Sequence, residues 1–239
     1  MKMRKENLNR LNSVAAVSKS NYSYLLWKYQ LKEVICILKE NVRGRILDVG
    51  CGNKPFEKYL ESMVTEYIGC DVVQSSLQKV DVVCDATDIP FENECFDSII
   101  STQVLEHISE TDLCLQEMYR LLVKGGILIL TVPFVWPIHE EPYDYYRFTE
   151  HGLRFKLERV GFKNMKIKAT GGLWISLGLM FLSFGCRNIN KKTNVLCLFF
   201  LRIYNKVFLL IFNNIFSFLN RLFPCKRIPS NYIVIAKKL

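Results

Sequence analysis

The chain has 239 residues, 50% hydrophobic and 23% charged, with a net charge of +9. That length accommodates one α/β domain with a sizeable core and something extra. The charge is lopsided: the last 81 residues hold 14 Lys and Arg and no Asp or Glu, leaving 18 basic against 23 acidic side chains in the first 158. Such polarity points to an anionic surface touched by one end only, whether phospholipid or nucleic acid. The N-terminus is positive but lacks an apolar h-region, which excludes a secretory signal. Nine cysteines without a CxxC pair read as reduced, buried thiols of a cytosolic protein, not a disulfide or metal framework. The three histidines are dispersed along the chain, so no metal-ligand set is expected.

In chain order, Leu26, Tyr29/Gln30, Val34 and Leu38 recur at near-helical spacing and predict an amphipathic helix over 22–40. Residues 1–44 are read as an N-terminal helical cap. Apolar strands follow at 45–50, 66–72, 81–86, 96–102 and 126–132, separated by helical patterns at 54–63, near 74–78 and at 111–123. Short Val/Ile/Leu runs alternating with helices predict a doubly wound, mostly parallel seven-stranded sheet covered on both faces. A further helix over 149–160 opens on Thr149 as N-cap and stops at Gly161. Strand-like 163–169 and the closing SNYIVIAKKL complete the sheet.

Between those last two strands, residues 171–223 form a hydrophobic intrusion made of two apolar runs joined by the polar link RNINKKTN. The first run is shorter than the roughly 20 residues that a span requires. The second is interrupted by Arg202 and Lys206, each costing roughly 2.5–3.5 kcal/mol at a bilayer centre. On a helical wheel, Arg202, Asn205, Lys206, Asn213, Ser217 and Asn220 make one polar stripe, and the rest is Phe, Leu, Ile and Val. This predicts a helix lying in a membrane interface; packing on the core or against a second copy is the alternative. The catalytic sheet is accordingly assigned to 45–170 and 224–239.

The chemistry centres on Asp48-Val49-Gly50-Cys51-Gly52-Asn53, a strand running into a glycine turn. A dinucleotide fingerprint needs a third glycine where this chain has Pro55. Asp48-x-Gly50-x-Gly52 instead resembles the first motif of the Rossmann-like (class I) S-adenosylmethionine-dependent methyltransferases. Asp71 at the end of the second strand, Asp85-Ala86 after the third, Gln103 to Glu106 after the fourth, and LLVKGGILILTVP (121–133) match that family's later segments in order. The resemblance implies S-adenosylmethionine as cofactor, held by Asp48, Gly50, Cys51, Gly52, Asn53, Asp71, Asp85, Ala86 and Gln103. A carboxylate can face the cationic methionyl end, and glycines let the backbone approach the ligand. His107 is read as a structural histidine bonded to the backbone.

The segment after the fifth strand, Pro133 to Thr149, holds three prolines, six aromatics, one histidine, three acids and an arginine. It resembles an H-E-x-P-x-D-Y-x-R-F-T type segment of bacterial methyltransferases associated with cell-surface polysaccharide synthesis. His139 is the candidate base, with Glu140 or Asp144 as orienter or alternative base. Trp136, Tyr143 and Tyr145 are candidates for stacking on a sugar or ring, and Arg147 for holding an anionic group; a structural Asp144–Arg147 pair is the alternative. The expectation is O-methylation of a sugar hydroxyl on a lipid-linked or surface glycan, by an enzyme peripheral on the inner face of the cell membrane. A lipid or quinone methyltransferase, a nucleic-acid methyltransferase and a non-catalytic scaffold are the rivals. Nucleic acid ranks below a membrane as partner, because the chain lacks the Asn/Asp-Pro-Pro-Tyr/Phe tetrapeptide and a Pro-Cys pair at the fourth strand.

Overall fold

The computed structural model describes residues 18–21, 23–187 and 195–239, without the side chains of 184–187 and 195–205. The predicted N-terminal cap over 1–17 and the polar link over 188–194 lie outside the described residues. Seven strands form one sheet: β1 (Gly44–Val49), β2 (Val64–Asp71), β3 (Val82–Val83), β4 (Phe96–Thr102), β5 (Leu122–Pro133), β6 (Lys163–Thr170) and β7 (Asn231–Lys237). Their order is β3-β2-β1-β4-β5-β7-β6, and only β7 runs antiparallel to its neighbours. The order reverses between β1 and β4, so their carboxyl ends open the crevice where doubly wound sheets take ligands.

Period-two alternation in the strands feeds two cores. Leu47, Val49, Ile99, Leu128 and Leu130 meet α3 (Thr111–Leu121) and α4 (Glu150–Val160) on one face. Ile46, Ile100, Ile129 and Ile233 meet α1 (Tyr24–Asn41) and α2 (Glu57–Leu60) on the other. Both faces are therefore dry, as near-continuous apolar strands require. Helix α4 forms as its ends predict: the Thr149 hydroxyl accepts from Gly152 N–H at 3.0 Å, and Gly161 closes it at φ +118°.

Three expectations change. No helix forms near 74–78, because the Gln74 side-chain oxygen Oε1 accepts from the N–H groups of Ser75 and Val80 and folds the segment into a turn. The strand expected over 81–86 shrinks to Val82–Val83 at the sheet edge, where Asp85 bridges to Asp88. Among the predicted buried thiols, Cys51, Cys70 and Cys114 are buried but Cys36 is exposed on α1.

The intrusion is a helical hairpin of α5 (Leu173–Arg187) and α6 (Val195–Leu222). Its ends meet: Ser230 N–H donates to the Thr170 carbonyl at 3.0 Å, and Thr170 pairs with Asn231 in the sheet. Residues 224–230 pack with the hairpin, Leu173 N–H reaching the Cys225 carbonyl, and the sheet resumes at Asn231. Ile175, Leu179, Leu182 and Leu209 bury against Leu25 and Leu26 of α1, with Trp136 at the edge of the cluster.

Of the predicted polar stripe of α6, Asn213, Ser217 and Asn220 face inward, whereas Lys206 is exposed. Asn213 is fully buried, its amide donating to the carbonyls of Lys19 (2.7 Å) and Asn21 (3.0 Å). Ser217 accepts from Lys28 Nζ at 3.1 Å, and the Asn220 side chain lies beside Gly172. Arg202 and Asn205 lie outside the described side chains. The stripe binds the start of α1, and the outward face is Val207, Leu210, Ile211, Ile215, Phe218 and Leu222, each 42–61% exposed. Among the described residues, no helix is long and apolar enough to cross a membrane.

Gly178 sets the closeness of this packing: a Cβ there would lie 2.6 Å from Leu25 Cδ1 and 2.8 Å from Phe216 Cγ. On an open helix face Gly→Ala would gain about 1 kcal/mol. Here the overlap reverses the sign, and Gly178→Ala is expected to lose about 1–3 kcal/mol in urea denaturation.

Candidate active site

The turn after β1 is fixed by the strands on either side. Gly50 and Cys51 N–H groups both donate to the Cys70 carbonyl, at 2.8 and 3.0 Å, and Gly52 N–H donates to Asp71 Oδ2 at 3.1 Å. Gly50 sits at φ +72°, and a Cβ on it would fall 2.3 Å from Val104. Only glycine meets both constraints. Asn53 accepts from Leu77 N–H at 3.2 Å, tying the turn to the loop after β2. Lys54 is buried, with Nζ reaching Asp81 and the Tyr67 carbonyl.

Asp48 is buried beneath this turn and accepts from the Tyr67 hydroxyl at 2.6 Å. Burial pushes its carboxyl up to about 7 against the lowering effect of Tyr67, with Asp71 adding a raising effect. Gln103 leaves β4 at φ +58°, its N–H and side-chain amide both donating to Thr131. Asp85 is exposed and accepts from Thr87 N–H and Oγ1 at 2.9 and 2.8 Å, a turn-capping arrangement; Ala86 packs against the core beside it. The structure thus collects Asp48, the glycine turn, Asp71 and Gln103 at the ends of β2, β1 and β4, while Asp85 stands beyond at the sheet edge. Carboxylates dominate this rim, and its buried cation, Lys54, is held by Asp81. That donor set fits a cationic nucleoside such as S-adenosylmethionine and disfavours a pyrophosphate.

The segment leaving β4 also holds the acceptor loop. A 3₁₀ turn, Leu105–His107, presents the Glu106 carbonyl to the N–H groups of Tyr145 (2.9 Å) and Tyr146 (3.3 Å). His107 Nδ1 lies 2.9 Å from the Tyr143 carbonyl, a backbone bond. Asp144, its side chain 2% exposed, takes Arg147 through both oxygens at 2.6 and 2.8 Å. Its Oδ2 also accepts His139 N–H at 2.9 Å and faces His139 Nδ1 at 3.1 Å. Burial alone would raise the Asp144 pKa, but the Arg147 and His139 bonds outweigh it and hold the carboxyl at about 2.

Asp144 is therefore an ionised orienter of His139. Arg147 is engaged inside the loop, since its remaining donors reach the carbonyls of Trp136, Pro137 and Tyr146. Trp136 packs against the helical hairpin, whereas the rings of Tyr143 and Tyr145 are exposed on the loop. Glu140 adopts φ +54° and its carbonyl accepts from Tyr143 N–H.

Two residues emerge that the linear spacing did not bring together. His107 and His139, dispersed in sequence, approach to 4.7 Å between ring centroids. Glu106 is fully buried beside them, and among the described residues neither carboxylate oxygen has a hydrogen-bond partner from another residue. Burial pushes Glu106 up to about 8. Burial and the neighbouring His107 push His139 down to about 4, against the raising effect of Asp144. The signal for Glu106 was in the chain, a Glu-His pair at a strand exit, but only the returning loop gives it company.

The Asp48 shift carries a stability consequence. Its folded pKa lies above the unfolded value of 3.8, so the folded protein holds the extra proton. The stabilisation is fully present below the unfolded value and is lost as pH rises to about 7, by roughly 1.4 kcal/mol per pH unit within that window. Asp48→Asn keeps an acceptor for Tyr67 and removes the titration. Its stability relative to the parent should improve between pH 5 and pH 8 in urea denaturation of the ligand-free protein.

Residues 47–130 match the family model described as a methyltransferase domain. A human protein described as probable tRNA methyltransferase 9B is 32% identical over 114 residues, 44% of this chain and 24% of its own. The mitochondrial ubiquinone biosynthesis O-methyltransferase of Rattus norvegicus is 28% identical over 103 residues, 36% of this chain and 30% of its own. The chain thus spans about a quarter of the length of these sequence relatives. Among solved structures, a SAM-dependent methyltransferase from Archaeoglobus fulgidus superimposes with a TM-score of 0.55 at 19% identity, over 87% of this chain and 94% of its own. Residues 47–130 thus resemble a methyltransferase domain, and the chain adopts the Rossmann-like α/β fold seen in S-adenosylmethionine-dependent methyltransferase structures.

Proposed function

We propose that the protein transfers a methyl group from S-adenosylmethionine to a hydroxyl of an acceptor carried at an anionic membrane surface. The observation that carries this reading is a shared wall. Val104 packs on Gly50 of the cofactor turn, and two residues later Glu106 and His107 hold the acceptor loop. When bound, the cofactor supplies an electrophilic methyl carbon on a sulfonium. Asp48, Asp71 and Gln103 would hold it, with the Gly50–Gly52 backbone beneath. His139, oriented through Nδ1 by Asp144, presents an Nε2 lone pair toward the acceptor side. The exposed rings of Tyr143 and Tyr145 suit the face of a sugar, so a lipid-linked or surface glycan is the first acceptor class. A quinone-type phenol is the second, favoured by the likeness to the ubiquinone biosynthesis O-methyltransferase.

The membrane surface is proposed as partner because of charge and placement. The outward face of α6 is mostly apolar, interrupted by the exposed Asn214, and Phe181 of α5 packs on the same helix. Lys206, Arg221, Lys226 and Arg227 are exposed along the same element and its exit. A cleft of about 470 Å³ lined by Lys28, Tyr29, Ser217, Phe218, Asn220 and Arg221 suits a phosphate headgroup. A second copy docked by this face would set cation against cation, whereas an anionic bilayer meets both the apolar and the basic part. Trp136 joins the hairpin cluster to the acceptor loop, so a surface-bound substrate lies within reach of the site.

His139→Ala is expected to lower turnover by about 10²–10⁴-fold while calorimetry shows unchanged S-adenosylmethionine affinity. The assay is methyl transfer from labelled cofactor into whole-cell glycan and lipid extracts, with the labelled product identified. Label found only in RNA would replace this acceptor reading. In flotation, the protein should rise with vesicles containing anionic phospholipid and stay behind with purely zwitterionic ones. Phe218→Asp combined with Leu222→Asp should abolish flotation without loss of cofactor binding.

A further inference from the structure

We propose that Glu106, His107 and His139 form a binding site for one divalent first-row transition-metal cation, placed where the acceptor hydroxyl reacts. Binding itself stands on the geometry alone; the cation's role rests on the function proposed above. The first support is the buried Glu106 carboxylate, with no accessible surface and, among the described residues, no hydrogen-bond partner from another residue on either oxygen. A buried carboxylate left without donors is costly unless a cation or a proton meets it. No lysine or arginine is within ion-pair distance of it among the described residues; the nearby Arg147 is bonded to Asp144.

The second support is the proton inventory. The Tyr143 carbonyl and the Asp144 carboxylate, which takes Arg147 on both oxygens, can only accept, so the Nδ1 atoms of His107 and His139 both carry hydrogen. Both Nε2 atoms then present lone pairs. Metal-bound histidines commonly donate their second nitrogen to a carbonyl or carboxylate in this way, which fixes ring orientation and tautomer. Here a backbone carbonyl serves one ring and a carboxylate the other.

The third support is convergence. One ligand atom from each residue lies within 4.8 Å of the other two, and Glu106 Oε1 is 3.8 Å from His107 Nε2. Tetrahedral zinc needs neighbouring ligand atoms about 3.4 Å apart, a closure that small side-chain rotations supply. Two imidazoles and one carboxylate suit zinc, manganese or iron better than calcium. Three protein ligands leave a coordination position open. A hydroxyl oxygen bound there has its O–H bond polarised; its proton passes to water, because with the cation bound His139 Nε2 is a ligand and no longer the base, and the metal does not change oxidation state.

The test uses the full chain freed of metal by chelation and dialysed. Mn²⁺ is followed by electron paramagnetic resonance, and Zn²⁺ by calorimetry. The expected result is one cation per chain, lost in Glu106→Gln and in His139→Ala. Asp144→Asn should weaken affinity about 10- to 100-fold. Circular dichroism and thermal melting verify folding, and His139→Ala, altering a loop side chain, keeps the test open if Glu106→Gln fails to fold. Failure of both cations to bind the parent stoichiometrically, or binding undiminished in both variants, overturns the proposal. S-adenosylmethionine calorimetry on the same metal-free sample separates the two readings. Cofactor binding without metal binding sinks only the cation, and metal binding without cofactor binding sinks only the methyltransferase reading.

Discussion

The acceptor half of the site depends on keeping one carboxylate ionised where little water reaches it. Asp144 accepts from two arms of Arg147 and from the backbone and ring of His139. A charge so enclosed is tolerable only when its lone pairs are occupied, and the loop from Pro133 to Thr149 is folded around meeting that demand. Arg147 in turn reaches three backbone carbonyls, so a segment without regular structure gains the fixed geometry that catalysis requires. The aromatic rings on its surface are carried by that internal knot.

The cofactor half rests on a different constraint, the close approach of backbones at the switch point of the sheet. Gly50 must lack a Cβ because Val104 occupies the space, and Val104 belongs to the same short segment that grips the acceptor loop through Glu106 and His107. Cofactor turn and acceptor loop are therefore not independent fittings on a scaffold. A displacement of residues 103–107 would move both, so the turn after β1 and the loop after β5 are held in register.

Much of this was legible in the chain. Alternating apolar runs gave the parallel sheet and its two cores; Thr149 and Gly161 marked the ends of α4; Asp48, Gly50 and Gly52 marked the turn. Long-range company was not legible. Nothing in the spacing of His107 and His139 tells that the loop after β5 folds back over the exit of β4. Arg147 reads as a ligand-binding cation or as a structural partner of Asp144, and only the folded loop shows the second. The wheel of α6 showed a polar stripe but not its neighbour, since Asn213 serves Lys19 and Asn21 just before α1, and Ser217 serves Lys28 within it, all far away in sequence. Periodicity reports that two faces differ; it does not say which one meets protein.

The meeting of Thr170 and Ser230 has a consequence for ancestry. The hairpin enters and leaves the sheet at paired positions of two adjacent antiparallel strands, where a two-residue turn would serve as well. An element attached at such a point can be acquired, exchanged or shed while the strand ladder beneath it stays in register. Its contacts with Leu25, Leu26 and Trp136 are then the patches that tie such an attachment to the first helix and to the loop after β5.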